Sequence, residues 1–157
     1  MQFALRPVTE ADYAWLWALK QKTMRPYVEL TWGGWDETTQ EEFFRCNFVP
    51  ANLHVITTSS RDAGLLHVER EANELFIANI QILPVFQNRG LGTAVVRSLL
   101  HDAHAAGTPV RLQVLKTNPR ARELYERLGF VVTDLSGTHC QMRAAPTPAH
   151  FHSYRTR

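Results

Sequence analysis

The spacing of apolar residues changes several times along the chain, and each change marks an element. Phe3 to Val8 is short and half apolar, the pattern of a strand. Thr9 followed by Asp12 resembles a capping box. It opens a helix in which Tyr13, Leu16, Trp17 and Met24 recur at roughly helical spacing, with Lys20 and Lys22 on other faces. Pro26 is expected to stop that helix, because its ring removes an N–H and crowds the preceding turn. A loop then leads to Asp36, an N-cap for a second helix with Glu37, Glu41 and Glu42 outside and Phe43, Phe44 and Phe48 toward the core, ended by Pro50.

Beyond Pro50 the period shortens. The runs LHVITTS, GLLHVERE and ELFIANIQIL predict three successive strands in a meander. Leu91, Val95, Leu99 and Ala103 then form one stripe of a helix that ends at Gly107, and RLQVLK follows as a strand. Pro119 and Gly129 bracket another helix, whose stripe is Ala121, Leu124, Tyr125 and Leu128. FVVTD and THCQMR close the order β-α-α-β-β-β-α-β-α-β-β, an α/β fold (α+β mixed sheet) flanked by helices. The strands at 75–83 and 110–116 flank a helix and are expected to run parallel through a right-handed crossover. From Ala144 the chain loses its period and gains prolines, so residues 1–143 read as a single domain and 144–157 as a mobile tail.

Composition narrows the possible partners. A chain of 157 residues with 45% hydrophobic content can bury one core of its own. Fifteen cationic and fifteen anionic side chains balance over residues 1–143, and the net charge of +2 comes from Arg155 and Arg157. A neutral body lacks the electrostatic footprint of a nucleic-acid binder. No run approaches the roughly 18 apolar residues of a membrane span, and the first residues carry no signal-peptide pattern, so a soluble, cytoplasmic protein is expected. Cys46 and Cys140 read as free thiols, and His101 and His104, three apart, lack a third metal ligand.

The informative stretch runs from Ile80 to Thr93, where a buried strand ends at Pro84 and a loop with two glycines enters an amphipathic helix. Unpaired N–H groups at such a helix start form an anion site, and glycines let the backbone close on phosphate oxygens. Gly92 is followed by Thr93 and Ala94 rather than the Lys-Ser or Lys-Thr of a P-loop. The next strand ends in Lys116 rather than the acid of a dinucleotide site, so a nucleotide-binding regulatory domain is disfavoured.

Gln87-x-x-Gly90-x-Gly92 between strand and helix, with Asn118 and Tyr125 seven apart ahead of Leu128-Gly129-Phe130, resembles the GNAT superfamily of N-acetyltransferases. The resemblance covers about Phe3 to Arg143 and implies acetyl-coenzyme A as cosubstrate, with no metal. It implies that backbone groups around Ile80, Gln81 and Ile82 pair with the pantetheine arm like an added strand, the strand splaying from its neighbour. Backbone N–H groups of Asn88, Arg89, Gly90, Leu91, Gly92 and Thr93 would hold the pyrophosphate, and Gln87 would order the loop. Asn118 would bind the pantetheine region, and the Tyr125 hydroxyl would protonate the departing thiolate, a transfer that is mildly uphill for an unperturbed phenol. Some relatives carry a Glu five residues before the Asn. Here that position is Gln113, which leaves Glu29, Glu69, Glu74 and His139 as candidate bases.

The acceptor wall is expected between the first two helices, where Tyr27, Glu29, Trp32 and Trp35 offer aromatic faces and charge to a cationic amine, with His139 nearby. The resulting expectation is an acetyltransferase that serves a small-molecule primary amine by direct transfer in a ternary complex. A homodimer is a further expectation. An acetyltransferase acting on a protein amine and a non-catalytic acyl-coenzyme A-binding sensor remain as alternatives.

Overall fold

A computed structural model describes residues 2–147. The elements are β1 (Ala4–Pro7), α1 (Tyr13–Trp32), α2 (Glu37–Asn47), β2 (Leu53–Thr58), β3 (Arg61–Arg70), β4 (Leu75–Ile82), α3 (Leu91–Ala105), β5 (Val110–Leu115), α4 (Pro119–Arg127), β6 (Val131–Asp134) and β7 (His139–Ala144). The strands form one sheet in the order β1-β2-β3-β4-β5-β7-β6. As expected, β2, β3 and β4 form an antiparallel meander, and β4 pairs with β5 in parallel.

Alternation along the strands sends side chains to two apolar layers. On one face Leu53, Val55 and Leu65 pack against Leu16 and Leu19 of α1 and Phe44 of α2. On the other, Ile56, Leu66, Ile77, Leu112 and Met142 pack against α3. Within α3 the buried residues are Leu91, Val95, Val96, Leu100 and Ala103, so Leu100 rather than Leu99 completes the stripe. Cys140 lies in this core and Cys46 is exposed, both as free thiols. Among the described residues, no helix is long and apolar enough to cross a membrane.

Three sequence expectations are corrected. Pro26 does not stop α1, which continues to Trp32 and ends at Gly33, whose φ of 83° and N–H bond to Glu29 O (2.8 Å) make a left-handed cap. A mid-helix proline costs about 3 kcal/mol in isolation, but the turns on both sides of Pro26 are held by contacts to the sheet, which override that propensity. Tyr27, Glu29 and Trp32 therefore stand on a helix rather than a loop. The expected boundary at Arg143 also moves: Ala144 is buried at the end of β7, paired with Val110. The part of the expected tail at 148–157 lies outside the described residues.

The third correction concerns α1 and α2. Phe43 is 63% exposed rather than in the core. Lys20, four residues after Leu16, shares its buried face and is only 8% exposed. Its ammonium sits 4.9 Å from the Phe43 ring centroid, 5.9 Å from Trp17 and 6.0 Å from Phe44, and its Nζ donates to Gln40 O at 3.4 Å. Burial lowers its pKa to about 8.

The folded-state pKa of Lys20 lies below its unfolded value, so the burial cost is fully present below about pH 8. Between about pH 8 and 10.5 the folded chain sheds a proton that the unfolded chain keeps, and stability rises. Lys20→Met is expected to raise stability at pH 7 by about 1–2 kcal/mol net of the lost cation–π contacts. Thermal melts at pH 7 and pH 10 check this. The gain should shrink at the higher pH, and an equal gain at both would show that Lys20 carries no burial cost.

Candidate active site

β4 and β5 pair only over Leu75–Ile77 and Val110–Leu112, then run on to Ile82 and Leu115 without meeting. The cause lies in β4. His67 of β3 pairs with Asn79 and Val68 with Ile77, so Ala78 is an inserted residue, and such a bulge bends its strand. β3 follows the bend because residue 64 is glycine: a Cβ there would stand 2.2 Å from the Gln81 carbonyl oxygen. Leu83 N donates to Ala63 O at 2.8 Å, and alternation from that bond turns the Gln81 backbone toward β3 and those of Ile80 and Ile82 toward the gap. The Gln87 side chain folds back and donates to Ile82 O at 2.8 Å, which ties the following loop to the lip of the gap.

The loop then enters α3. Asn88 and Gly90 adopt left-handed backbone, with φ of 61° and 79°, and buried Leu91 anchors the turn. Ala94 N donates to Gly90 O at 3.0 Å, so the N–H groups of Leu91, Gly92 and Thr93 have no intrahelical partner. Nothing lies within 4 Å of a Cβ built at Gly90 or Gly92, which leaves this helix start open. Arg120 of α4 binds Asn88 Oδ1. Arg61 and Arg89 line a cavity of about 500 Å³ beside Phe86 and Leu91, with the Arg61 guanidinium 5.0 Å over the Phe86 ring.

α4 faces the gap from the α3 side. Asn118 Oδ1 caps the helix by accepting from Ala121 N at 3.2 Å, which leaves its Nδ2 for a ligand. Two turns on, Tyr125 packs on the core beneath α3 and stacks edge-on against Phe130, with ring centroids 5.8 Å apart. Burial pushes its phenol pKa up to about 12. Transfer to a thiolate is therefore steeper than the mildly uphill step expected for an unperturbed phenol.

On the opposite face α1 straps the gap. Thr23 Oγ1 lies 3.3 Å from the side-chain oxygen of Gln81, which is 4% exposed on β4. Eight residues on, Thr31 Oγ1 meets Thr117 Oγ1 at 2.9 Å just beyond β5. Thr23, Tyr27 and Thr31 are four apart and share one face, so Tyr27 stands between the two lips. Trp32 reaches β7, where its ring lies 6.4 Å from that of His139. Glu29 is turned about 200° from Tyr27 and binds Arg25 at 2.6 Å, while Arg25 also covers Trp35 at 5.6 Å. Tyr27 thus stands between Thr23 and Thr31, Trp32 and His139 meet at the end of β5 and the start of β7, and Glu29 and Trp35 point elsewhere.

Residues 63–137 match a family model described as FR47-like protein. A 72-residue stretch is 29% identical to thialysine N-epsilon-acetyltransferase of Bos taurus, spanning 45% of this chain and 42% of that relative. Among solved structures the chain is similar to the PaiA N-acetyltransferase of Thermoplasma acidophilum in complex with coenzyme A, at 16% identity and TM-score 0.73 over 92% of this chain and 99% of that one. It is also similar to the ribosomal-protein-S18-alanine N-acetyltransferase of Escherichia coli, at 19% identity and TM-score 0.67 over 98% and 99%. The chain has the fold of these N-acetyltransferases, and its residues 63–137 resemble the FR47-like family. The family match runs from β3 past β6 and takes in the gap, the loop and α4, whereas α1 and α2 lie outside it.

Within this fold, Gln113 stands five residues before Asn118 and accepts from Gln141 Nε2 at 3.0 Å. The other acidic candidates are engaged: Glu69 with His67 at 3.1 Å and Glu74 with Arg111 at 2.8 Å. Sequence reading missed the roles of Thr23, Thr31, Thr117 and Arg120. The four-residue spacing of Thr23, Tyr27 and Thr31 was the available signal, hidden by the expected stop at Pro26.

Gly64→Ala places a methyl group against backbone rather than against a yielding side chain. It is expected to destabilise the fold by about 1–3 kcal/mol, as other overpacked sites do. Urea unfolding measures this, and a change under about 0.5 kcal/mol would mean that β3 and β4 can separate freely.

Proposed function

We propose that this chain is an N-acetyltransferase that moves the acetyl group of acetyl-coenzyme A to a primary amine by direct transfer in a ternary complex. The observation that carries the reading is the early end of β4–β5 pairing beside an open helix start: one supplies a strand edge and the other an anion site. Backbone groups of Ile80 and Ile82 pair with the pantetheine amides. The N–H groups from Asn88 to Thr93 hold the pyrophosphate, with Gln87 keeping the loop in place and Arg61 and Arg89 supplying countercharge. Asn118 Nδ2 binds the arm farther along.

The Tyr125 hydroxyl hydrogen-bonds the sulfur and hands it a proton as the C–S bond breaks. Tyr27 and Trp32 form the acceptor wall on the far side of the gap. The acceptor is read as a small-molecule amine, and a protein amine is the alternative. A second reading, a non-catalytic acyl-coenzyme A sensor, is favoured by one observation, the Gln113–Gln141 amide pair in place of a carboxylate.

Tyr125→Phe is expected to lower kcat by about 100-fold while leaving the Kd for acetyl-coenzyme A within about twofold. Thiol release over a panel of amines, together with calorimetry, checks both quantities. Unchanged turnover would remove Tyr125 from the chemistry. Tight coenzyme A binding with no thiol release from any amine would favour the sensor.

A further inference from the structure

Which amine this site takes depends on what can receive its proton and on what charge faces it, and both follow from the acceptor side of the gap. The carboxylates that might collect a polycation are bound elsewhere: Glu29 by Arg25, Glu69 by His67, and Glu74 by Arg111 and, at 3.9 Å, Arg143. Beyond its pairing with β4, β5 presents Gln113 and then Leu115 on this face, and Gln113 accepts from Gln141 of β7. His139 opens β7 opposite Leu115. It is half-buried, with Trp32 of α1 beside its ring and Nδ1 at 2.9 Å from Thr138 Oγ1.

We propose that His139 is the base that takes the acceptor's proton, and that the acceptor is an α-amino group rather than a lysine side chain or a polyamine. The inference rests on the acetyltransferase reading above. In the tautomer whose Nδ1–H donates to Thr138 Oγ1, Nε2 presents the free lone pair. Burial lowers the imidazole pKa, so the ring is neutral at pH 7. Of the charged groups on the surrounding elements, Arg25 pairs with Glu29 on α1 and Arg143 of β7 leans on Glu74, while Lys116 beyond β5 acts only at a distance on Asp134 of β6, whose carboxylate accepts from Ser136.

A proton passing from a lysine-type ammonium, near 10.4, to an imidazole below about 6.5 climbs at least about four decades. From an α-ammonium, near 7.7–8.0, the climb is about 2.5 decades shorter. One ammonium proton goes to His139 Nε2 and on to solvent. The freed lone pair attacks the thioester carbon, forming C–N as C–S breaks. A second proton leaves the tetrahedral nitrogen and replaces the one that Tyr125 gives to sulfur, and the third stays on the amide.

The experiment compares L-alaninamide with Nα-acetyl-L-lysinamide as acceptors for acetyl-coenzyme A, by thiol release across pH 5–9. At pH 7, kcat/KM for alaninamide is expected to be at least about tenfold higher. His139→Gln should lower kcat for alaninamide at least about tenfold and abolish the ascending limb that titrates below about pH 6.5, with the Kd for acetyl-coenzyme A unchanged. His139→Asn and imidazole rescue of His139→Ala repeat the test if the glutamine variant fails to fold.

Equal or reversed preference overturns the inference, as does an ascending limb that survives in His139→Gln. Wild-type protein that binds acetyl-coenzyme A but acetylates neither amine overturns it as well and leaves cosubstrate binding standing. Wild-type protein that does not bind acetyl-coenzyme A overturns the acetyltransferase reading itself.

Discussion

The structure is organised around one unmet demand, the backbone hydrogen bonding of β4 after Ile77. Sheet interiors leave very few N–H and C=O groups unpaired, because each orphan in a low-dielectric setting costs as much as a lost hydrogen bond. Here β5 diverges after three pairs, and the edge of β4 is left facing a gap. The divergence is built in: the Ala78 bulge bends β4, Gly64 lets β3 stay in contact through the bend, and Gln87 satisfies one lip carbonyl while fixing the next loop. α1 then bridges both lips through Thr23 and Thr31.

A sheet split in this way also divides the chemistry. Tyr125 belongs to the layer under α3, and Tyr27, Trp32 and His139 belong to the α1 side. In the proposed reaction, a ligand threaded along the gap would meet a proton donor from one face and an acceptor amine from the other. Direct transfer needs that arrangement, since the nucleophile and the leaving sulfur must occupy different sides of the same carbonyl carbon.

The loop from Gln87 to Gly92 and the helix that carries Asn118 and Tyr125 were legible in the sequence because they are local. Gly90, Gly92, Gln87 and the Asn118–Tyr125 spacing each act within one loop or one helix, and periodicity places those elements well. The element order was legible for the same reason. The acceptor half was not, because it depends on tertiary balance. Pro26 looks like a stop by propensity and is overruled by contacts along the whole of α1, which places Tyr27 and Trp32 on a helix and turns Glu29 away. Lys20 read as a surface residue by type, yet its position four after Leu16 buries it among aromatic rings. The bulge at Ala78 has no signature in a run as apolar as LFIANIQI, and only the register between β3 and β4 reveals it.

Burial of Tyr125 sets how its proton can move. With a phenol pushed up to about 12 and a free thiol near 8.5, outright transfer to the departing thiolate would climb roughly 5 kcal/mol. A tyrosine that only gave up its proton would end as a buried phenolate, the species that the surrounding apolar packing opposes most. The same burial is harmless if the proton is replaced as it leaves. The nitrogen of a tetrahedral intermediate, carrying a positive charge beside the breaking C–S bond, is a far stronger acid than the phenol, so a relay through the hydroxyl runs downhill overall. For the proposed transfer, the apolar setting therefore favours a tyrosine that stays neutral throughout and couples C–S cleavage to loss of the amine's second proton.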